Sequence, residues 1–328
     1  MRANPIFLLS ICTSSMVHGQ DQARYDELIA KAYSLYEQED YKASGGTYAE
    51  AFKTLGWNGT SNDRYNAACA WALAGVPDSA FYQLKRIADL MDYANLKHIT
   101  TDPDLNGLHT DKRWNEVIDR VAKNKERLEA NYDKALVAQL DSIFAEDQGL
   151  RNGIAAVEAE FGHDSKEMKA YWHRIWVADS LNQIKVVRIL DERGWLGPDV
   201  VGPTGNLALF LVIQHADLET QEKYLPLMRE AMKAGRAKGN HLAMLEDRTR
   251  MRRGRPQVYG TQLGRDPDTN SYYLSPLEDP EHVDQRRAEV GLRPLNDYLV
   301  SMGLKWDLEA YYKDLPRLQE LLKRNAEH

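Results

Sequence analysis

Apolar residues recur at intervals of three and four along most of the chain, and this spacing predicts helices almost throughout. In the first half it marks Gln22–Gln38, with Leu28, Ile29, Ala32 and Leu35 among the apolar positions. Tyr41–Thr54, Asn62–Ala74 and Ser79–Asp92 follow, the third closed by Gly75 and Pro77. Arg113 to about Glu146 reads as one long connecting helix with a mixed-charge, solvated face. In the second half Ser165 caps a helix that runs to Arg193 and stops at Gly194. Trp172 and Trp176 share one face of it, Asp179 and Asn182 another. Gly202-Pro203-Thr204-Gly205 turns into Asn206–Gln214, where Leu207 to Ile213 is apolar on all sides. A helix of that kind belongs at the centre of a domain. Leu218–Ala234, with Asp217 at the N-cap position, and Leu242–Arg253 complete the pattern. The expected fold is all-α: short helical hairpins over residues 20–127, then a compact, mostly helical domain over 128–328, with the boundary near Leu128.

Composition changes this picture little. At 43% hydrophobic and 28% charged, the chain is ordinary globular material, long enough for two cores. The formal charge of -7 argues against non-specific binding to nucleic acid or anionic membranes. Residues 1–19 read as a cleavable export signal: Arg2, the apolar run Ile6 to Ile11, then Val17 and Gly19 before a cut that leaves Gln20 first. The expected location is periplasmic or secreted. A lipoprotein signal needs a small residue before its cysteine, and Ile11 precedes Cys12, so no lipid anchor is expected. Leu207 to Ile213 is too short to span a bilayer. Cleavage would leave Cys69 as the one cysteine, which rules out an intrachain disulfide and a cysteine-based zinc site. Its neighbours Ala67, Ala68, Ala70 and Trp71 suit a buried packing thiol.

The first half has a further regularity. Tyr41, Ser44, Tyr48 and Ala51 are spaced by three, four and three, and Ala80, Leu84 and Ile87 repeat the last three positions about one repeat length later. Ala68, Trp71, Gly75 and Ala80 have the small–aromatic–glycine–small spacing of a tetratricopeptide repeat. This half therefore resembles a short, degenerate tetratricopeptide array. Asp102-Pro103-Asp104-Leu105, Leu108-His109 and Asp111-Lys112-Arg113-Trp114 resemble the segment that closes such arrays in exported bacterial proteins. The resemblance implies a groove for a peptide or protein partner; bracing of the second domain is the alternative. His109 and Trp114 suit packing.

The densest polar stretch is Asp247 to Gln262, DRTRMRRGRPQVYGTQ. Gly254 and Pro256 must end its helix, and Gln257, Tyr259, Thr261 and Gln262 then crowd one loop. Arg248 and Arg252 share a face while Arg250 points away, and most of the arginine run reads as solvated surface. Arg248 is the candidate for forking onto a carboxylate: Asp179, Asp217 or a ligand's. The loop is expected to fold against the end of the central helix, bringing Gln262, Tyr259, Arg248 and His215 together.

Residues from about Leu140 to Leu299 resemble a bacterial family of unknown function. The matching positions are Asp147-Gln148 with Arg151, Asp179 and Asn182, Gly194-Trp195, Gln214-His215-Ala216-Asp217, Gln221, Asp247-Arg248 and Gly254 with Gln257 to Gln262. Leu277-Glu278-Asp279-Pro280 and Arg286 to Leu292 continue them. Leu196-Gly197 before Pro198 departs from the family's habit of proline directly after the tryptophan. The resemblance implies a polar residue set and no activity.

No zincin, serine-hydrolase, phosphate-loop or dinucleotide-binding motif is present, and no cofactor is expected. His215, Asp217 and His241 are conceivable metal ligands, but nothing fixes their distances, so no metal is expected. Two readings stay open. In the first, an envelope binding or scaffold protein holds a small polar or anionic ligand with Arg248, Gln257, Tyr259, Thr261, Gln262, Asp179, Asn182 and Gln221. In the second, a hydrolase or transferase uses His215 as base, Asp217 or Asp247 to orient it, and Arg248 with Gln257 and Gln262 to hold developing negative charge.

Overall fold

The computed structural model of the chain describes residues 12–269 and 271–326. It is 74% helical, with fifteen helices among the described residues and almost no strand, so the protein is all-α. The chain divides into two compact units between Ala130 and Asn131. The apolar run of the expected export signal, Ile6 to Ile11, lies outside the described residues. Among the described residues no helix is long and apolar enough to cross a membrane.

In the first unit α1 (Cys12–Glu37), α2 (Tyr41–Thr54), α3 (Ser61–Leu73) and α4 (Pro77–Leu90) each pack on the next. Asp40 and Thr60 cap α2 and α3 by accepting from the N–H groups of Ala43 and Asp63. Close approach of α2 to α3 requires Gly45, because a Cβ there would stand 2.6 Å from the Trp71 ring. The fourth helix begins two residues before the expected Ser79, since Pro77 suits a first turn that needs no N–H donor. After α5 (Leu96–Thr101), α6 (Lys112–Leu128) returns to α4 and adds Trp114, Val117 and Val121 to the core around Phe81, Leu84 and Ile87. His109 stacks on Trp114 at 4.4 Å between ring centroids, which makes both packing residues.

The single helix expected from Arg113 to Glu146 is two. α6 ends at Leu128 and α7 (Lys134–Asn152) starts afresh. Asp133 accepts from Leu136 N at 3.1 Å and gives its own N–H to Val200 O at 2.9 Å. A local cap and one tertiary bond thus overrule a sequence that could have remained helical.

In the second unit α8 (Ile154–Phe161) leads to α9 (Lys166–Arg193), capped by Ser165 and stopped at Gly194 with φ 69°. The face of α9 shared by Trp172 and Trp176 is exposed, at 45% and 65%. α10 (Pro198–His215) is the predicted central helix and touches α7, α9, α11 (Leu218–Lys233) and α12 (Gly239–Arg252). The turn expected at residues 202–205 is a kink at Gly202, with φ 69° and ψ 166°. The helix resumes at Pro203, and Ala208, Leu209, Phe210, Val212 and Ile213 are buried along it. A hairpin that the helical spacing did not announce follows: β1 (Leu263–Arg265) pairs antiparallel with β2 (Tyr272–Leu274), Leu263 opposite Leu274. α13 (Val283–Glu289), α14 (Leu295–Val300) and α15 (Leu308–Ala326) complete a second core around Leu274, Leu277, Leu295, Leu299 and Leu318.

With its own cores, the second unit is expected to fold alone: a polypeptide of residues 131–328 should unfold in one cooperative urea transition. A broad, non-cooperative loss of helix would show that it depends on the first unit.

Candidate functional site

The site forms where α10 ends. The last carbonyls of a helix have no partner within it and carry the negative end of its dipole. α12 supplies two guanidiniums, four residues apart on one face. Arg248 Nη1 donates to Gln214 O at 3.0 Å, and Arg252 Nη1 donates to Ala216 O at 2.7 Å. These carbonyls flank His215. Gln221 Nε2 also donates to Gln214 O, at 2.8 Å.

Arg248 Nε donates to Gln262 Oε1 at 3.0 Å, so the glycine-rich loop does meet this helix end. The loop is held by two side chains that imitate backbone. Gln257, wholly buried, accepts from Gln262 N at 2.9 Å and donates to Gln262 O and Ser275 O. Asp247, also wholly buried, accepts from the N–H groups of Val258, Tyr259 and Thr261 at 2.7, 3.0 and 3.0 Å, and from the Thr261 hydroxyl at 2.9 Å. Burial pushes the Asp247 carboxyl up, against the pull of those donors. The loop backbone is thus an anion-binding nest already filled by the protein's own carboxylate. Asp247 has no oxygen to offer His215, which corrects its expected role in orienting the base.

Asp217 is corrected as well. It caps α11, accepting from Thr220 N and Gln183 Nε2, both at 2.8 Å, and these bonds hold it below the usual carboxylate range. The carboxylate on His215 is Asp147, with Oδ1 2.9 Å from Nδ1. Asp147 is buried and also accepts from Arg151 Nη1 at 3.0 Å and Gln148 Nε2 at 2.6 Å. Behind it, Arg151 Nη2 grips both oxygens of Asp179 at 2.9 and 2.8 Å. Burial alone would raise the Asp147 carboxyl, but His215 and then Arg151 outweigh it and leave it lowered.

Asp179 is therefore engaged by Arg151, and Arg248 forks onto neither Asp179 nor Asp217. Among the described residues Arg248 pairs with no carboxylate; its partners are the neutral oxygens of Gln214 and Gln262. Burial, with Arg252 and Arg151 nearby, pushes its guanidinium down to about 10. Gln214 and Gln221, which meet Arg248 at the Gln214 carbonyl, each keep an unpaired buried Oε1, and Asn182 on α9 keeps an unpaired buried Nδ2.

Two candidates fall elsewhere. Tyr259 gives its backbone to the Asp247 cage and its carbonyl to Arg287. Its side chain lines a different cavity, of about 390 Å³, with Glu246, Arg250 and Arg255. Burial and Glu246 push its phenol up. His241 stacks on Phe210 at 4.3 Å between centroids, and burial pushes it down to about 4, so it is a packing residue. Asp147, Asp179 and His215 do bring three possible ligand atoms within 4.8 Å of one another, but Arg151 already donates to both carboxylates and meets their charge.

Asp147, Gln148 and Arg151 were visible only as family-matching positions; the four-residue spacing of Asp147 and Arg151 was the available signal. Arg252 was hidden among arginines that read as surface. Arg287, buried and donating to the carbonyls of Tyr259, Gly260 and Arg293, was hidden in the same way.

An all-α unit with a guanidinium–imidazole–carboxylate cluster at the end of its central helix is thus the class of protein in hand. A model of a family of unknown function, DUF6624, matches residues 134–309, more than half of the chain, and the protein belongs to that family. No curated protein and no solved structure matches it.

Proposed function

We propose that the protein is an exported helical binding protein whose second unit holds a small anion at the end of α10. One observation carries this reading: Arg248 is a guanidinium in a part-buried site with no carboxylate partner among the described residues, beside Arg151 and Arg252. Of the two carbonyls met here, Gln214 O also receives Gln221 Nε2, so its satisfaction does not rest on Arg248 alone. Nη2 of Arg248 is left to fork onto a ligand oxygen while Nε and Nη1 stay on the protein. Gln221 and Gln262 supply amides beside it. The export reading rests on residues 1–19.

For the first unit we propose a tetratricopeptide-like docking role. The support is a groove of about 610 Å³ between helices, lined by Trp57, Trp71, Tyr82 and Arg86, with Trp57 and Tyr82 exposed. Aromatic and arginine side chains are the types that anchor partners.

The anion reading is tested with Arg248→Lys and Gln262→Ala, titrating acetate and following the melting temperature. A ligand that binds only the native state raises it by mass action. Acetate should stabilise the wild type, and both variants should lose that response while melting within about 2 °C of the wild type. If both variants melt far lower and respond to acetate unchanged, the cluster is a structural lock.

A further inference from the structure

Anion binding by itself does not call for the Asp147–His215 pair. In the neutral ring the 2.9 Å contact to Asp147 puts the proton on Nδ1 and the lone pair on Nε2. Asp147 cannot swing away, because Arg151 and Gln148 hold its oxygens and Asp179 holds Arg151. Among the described residues no hydroxyl, thiol or carboxylate meets Nε2, while the side chain keeps 17% of its surface. An oriented, part-exposed imidazole with a buried carboxylate on Nδ1 is the arrangement of a general base acting on water. The carbonyls on either side of this residue carry Arg248 and Arg252, so base and anion site share one helix end.

Charge narrows the ligand. Asp147 and Asp179 are set against Arg151, and Asp217 lies in the field of Arg252. Among the described residues at this helix end, Arg248 is the cation without an acidic counterpart. Two acids face the one cation Arg151, so with Arg248 counted these six side chains sum to zero, and a balanced cluster takes one carboxylate on Arg248 at less cost than a phosphate dianion.

We propose that the second unit hydrolyses an ester or amide of a small molecule bearing one carboxylate, a step that rests on the anion-binding reading above. Arg248 holds the carboxylate. His215 Nε2 takes a proton from water as the water oxygen bonds to the acyl carbon. The C–O or C–N bond then breaks, and the alcohol or amine leaves with the proton that Nε2 returns. The products are a carboxylic acid and the alcohol or amine, and no oxidant or reductant enters. His215 is the catalytic residue and Asp147 the positioning residue.

The test uses the full chain and two probes, the mono-4-nitrophenyl ester of succinate and the neutral 4-nitrophenyl acetate. The wild type should release nitrophenolate faster from the charged ester. His215→Gln should lower that rate by about 100-fold or more. Asp147→Asn should lower kcat and change the pH profile, and Arg248→Lys should raise KM more for the charged ester than for the neutral one. Labelling of the wild type with diethyl pyrocarbonate needs no variant: His215 should react faster than exposed His173, and acetate should protect it. No hydrolysis by the wild type, equal hydrolysis by His215→Gln, or slow labelling of His215 overturns the proposal. Hydrolysis that depends on His215 without preference for the charged ester overturns the carboxylate substrate and the anion reading together. Acetate binding that depends on Arg248, without hydrolysis, overturns the base and leaves the anion reading standing.

Discussion

Asp247→Ala is expected to destabilise the second unit by about 3–5 kcal/mol. The carboxylate it removes is wholly buried and accepts three backbone N–H groups and one hydroxyl from a single loop. Without it the N–H groups of Val258, Tyr259 and Thr261 lose their partner, and each unpaired buried donor costs roughly 1–3 kcal/mol. Val258 and Tyr259 are only partly buried, so water recovers some of that, which keeps the total below the simple sum. Asp247→Asn should lose nearly as much, because an amide turns a donor toward donors. Asp217→Ala, which removes an ordinary N-cap, should cost about 1 kcal/mol. Urea unfolding of the full chain measures all three. If Asp247→Ala costs no more than Asp217→Ala, the loop is not held by this carboxylate.

Asp147→Ala is expected to cost about 2–4 kcal/mol near neutral pH, because it removes the acceptor of Gln148 Nε2 and His215 Nδ1 and leaves Arg151 Nη1 only the backbone oxygen of residue 147. This loss should depend on pH in a set direction. His215 and Arg151 hold the folded Asp147 carboxyl below its ordinary value of 3.8. A carboxyl lowered on folding contributes stability that is present above the unfolded value and is lost as pH falls through the folded one. The gap between wild type and Asp147→Ala should therefore be full at pH 6–7 and shrink as the pH falls below about 4. A gap that stays constant down to pH 3 would mean that Asp147 contributes packing and not charge.

The two variants separate two kinds of polar residue that look alike in the sequence. Asp247 and Gln257 stand in for backbone, closing a loop whose sharp turn at Gly260 needs φ 68° and leaves no space for a Cβ against Leu295. Asp147, His215 and Arg248 stand at the end of the central helix, where Arg248 pairs with neutral oxygens and, among the described residues, with no carboxylate. The arginine-rich stretch supplied residues to both: Arg248 and Arg252 to the helix end, and Arg250 and Arg253 to ion pairs with Glu278 and Glu222.

The sequence by itself determined the helices and most of their ends. Tyr41–Thr54 runs between the residues that the spacing marked, Ser165 and Asp217 cap as N-cap side chains should, and Gly194 ends α9. The all-apolar run at Leu207 to Ile213 placed the central helix, and Gly254 with Pro256 placed the loop. These features follow from contacts three or four residues apart, or from the dihedral limits of glycine and proline, so a local pattern contains them. Only the tertiary structure broke the helix after Leu128, through a bond from Asp133 N to Val200 O. It alone paired the two three-residue strands, where Gly264 lies under the Tyr273 ring. It gave His215 the carboxylate of Asp147, from α7, instead of Asp217 two residues away, and it left Arg248 without one. His215 ends a helix whose neighbours in space come from four other helices, while Asp217 was already committed to the first turn of the next. Which side chains meet at such a helix end depends on how the helices pack, and spacing along the chain carries no record of that.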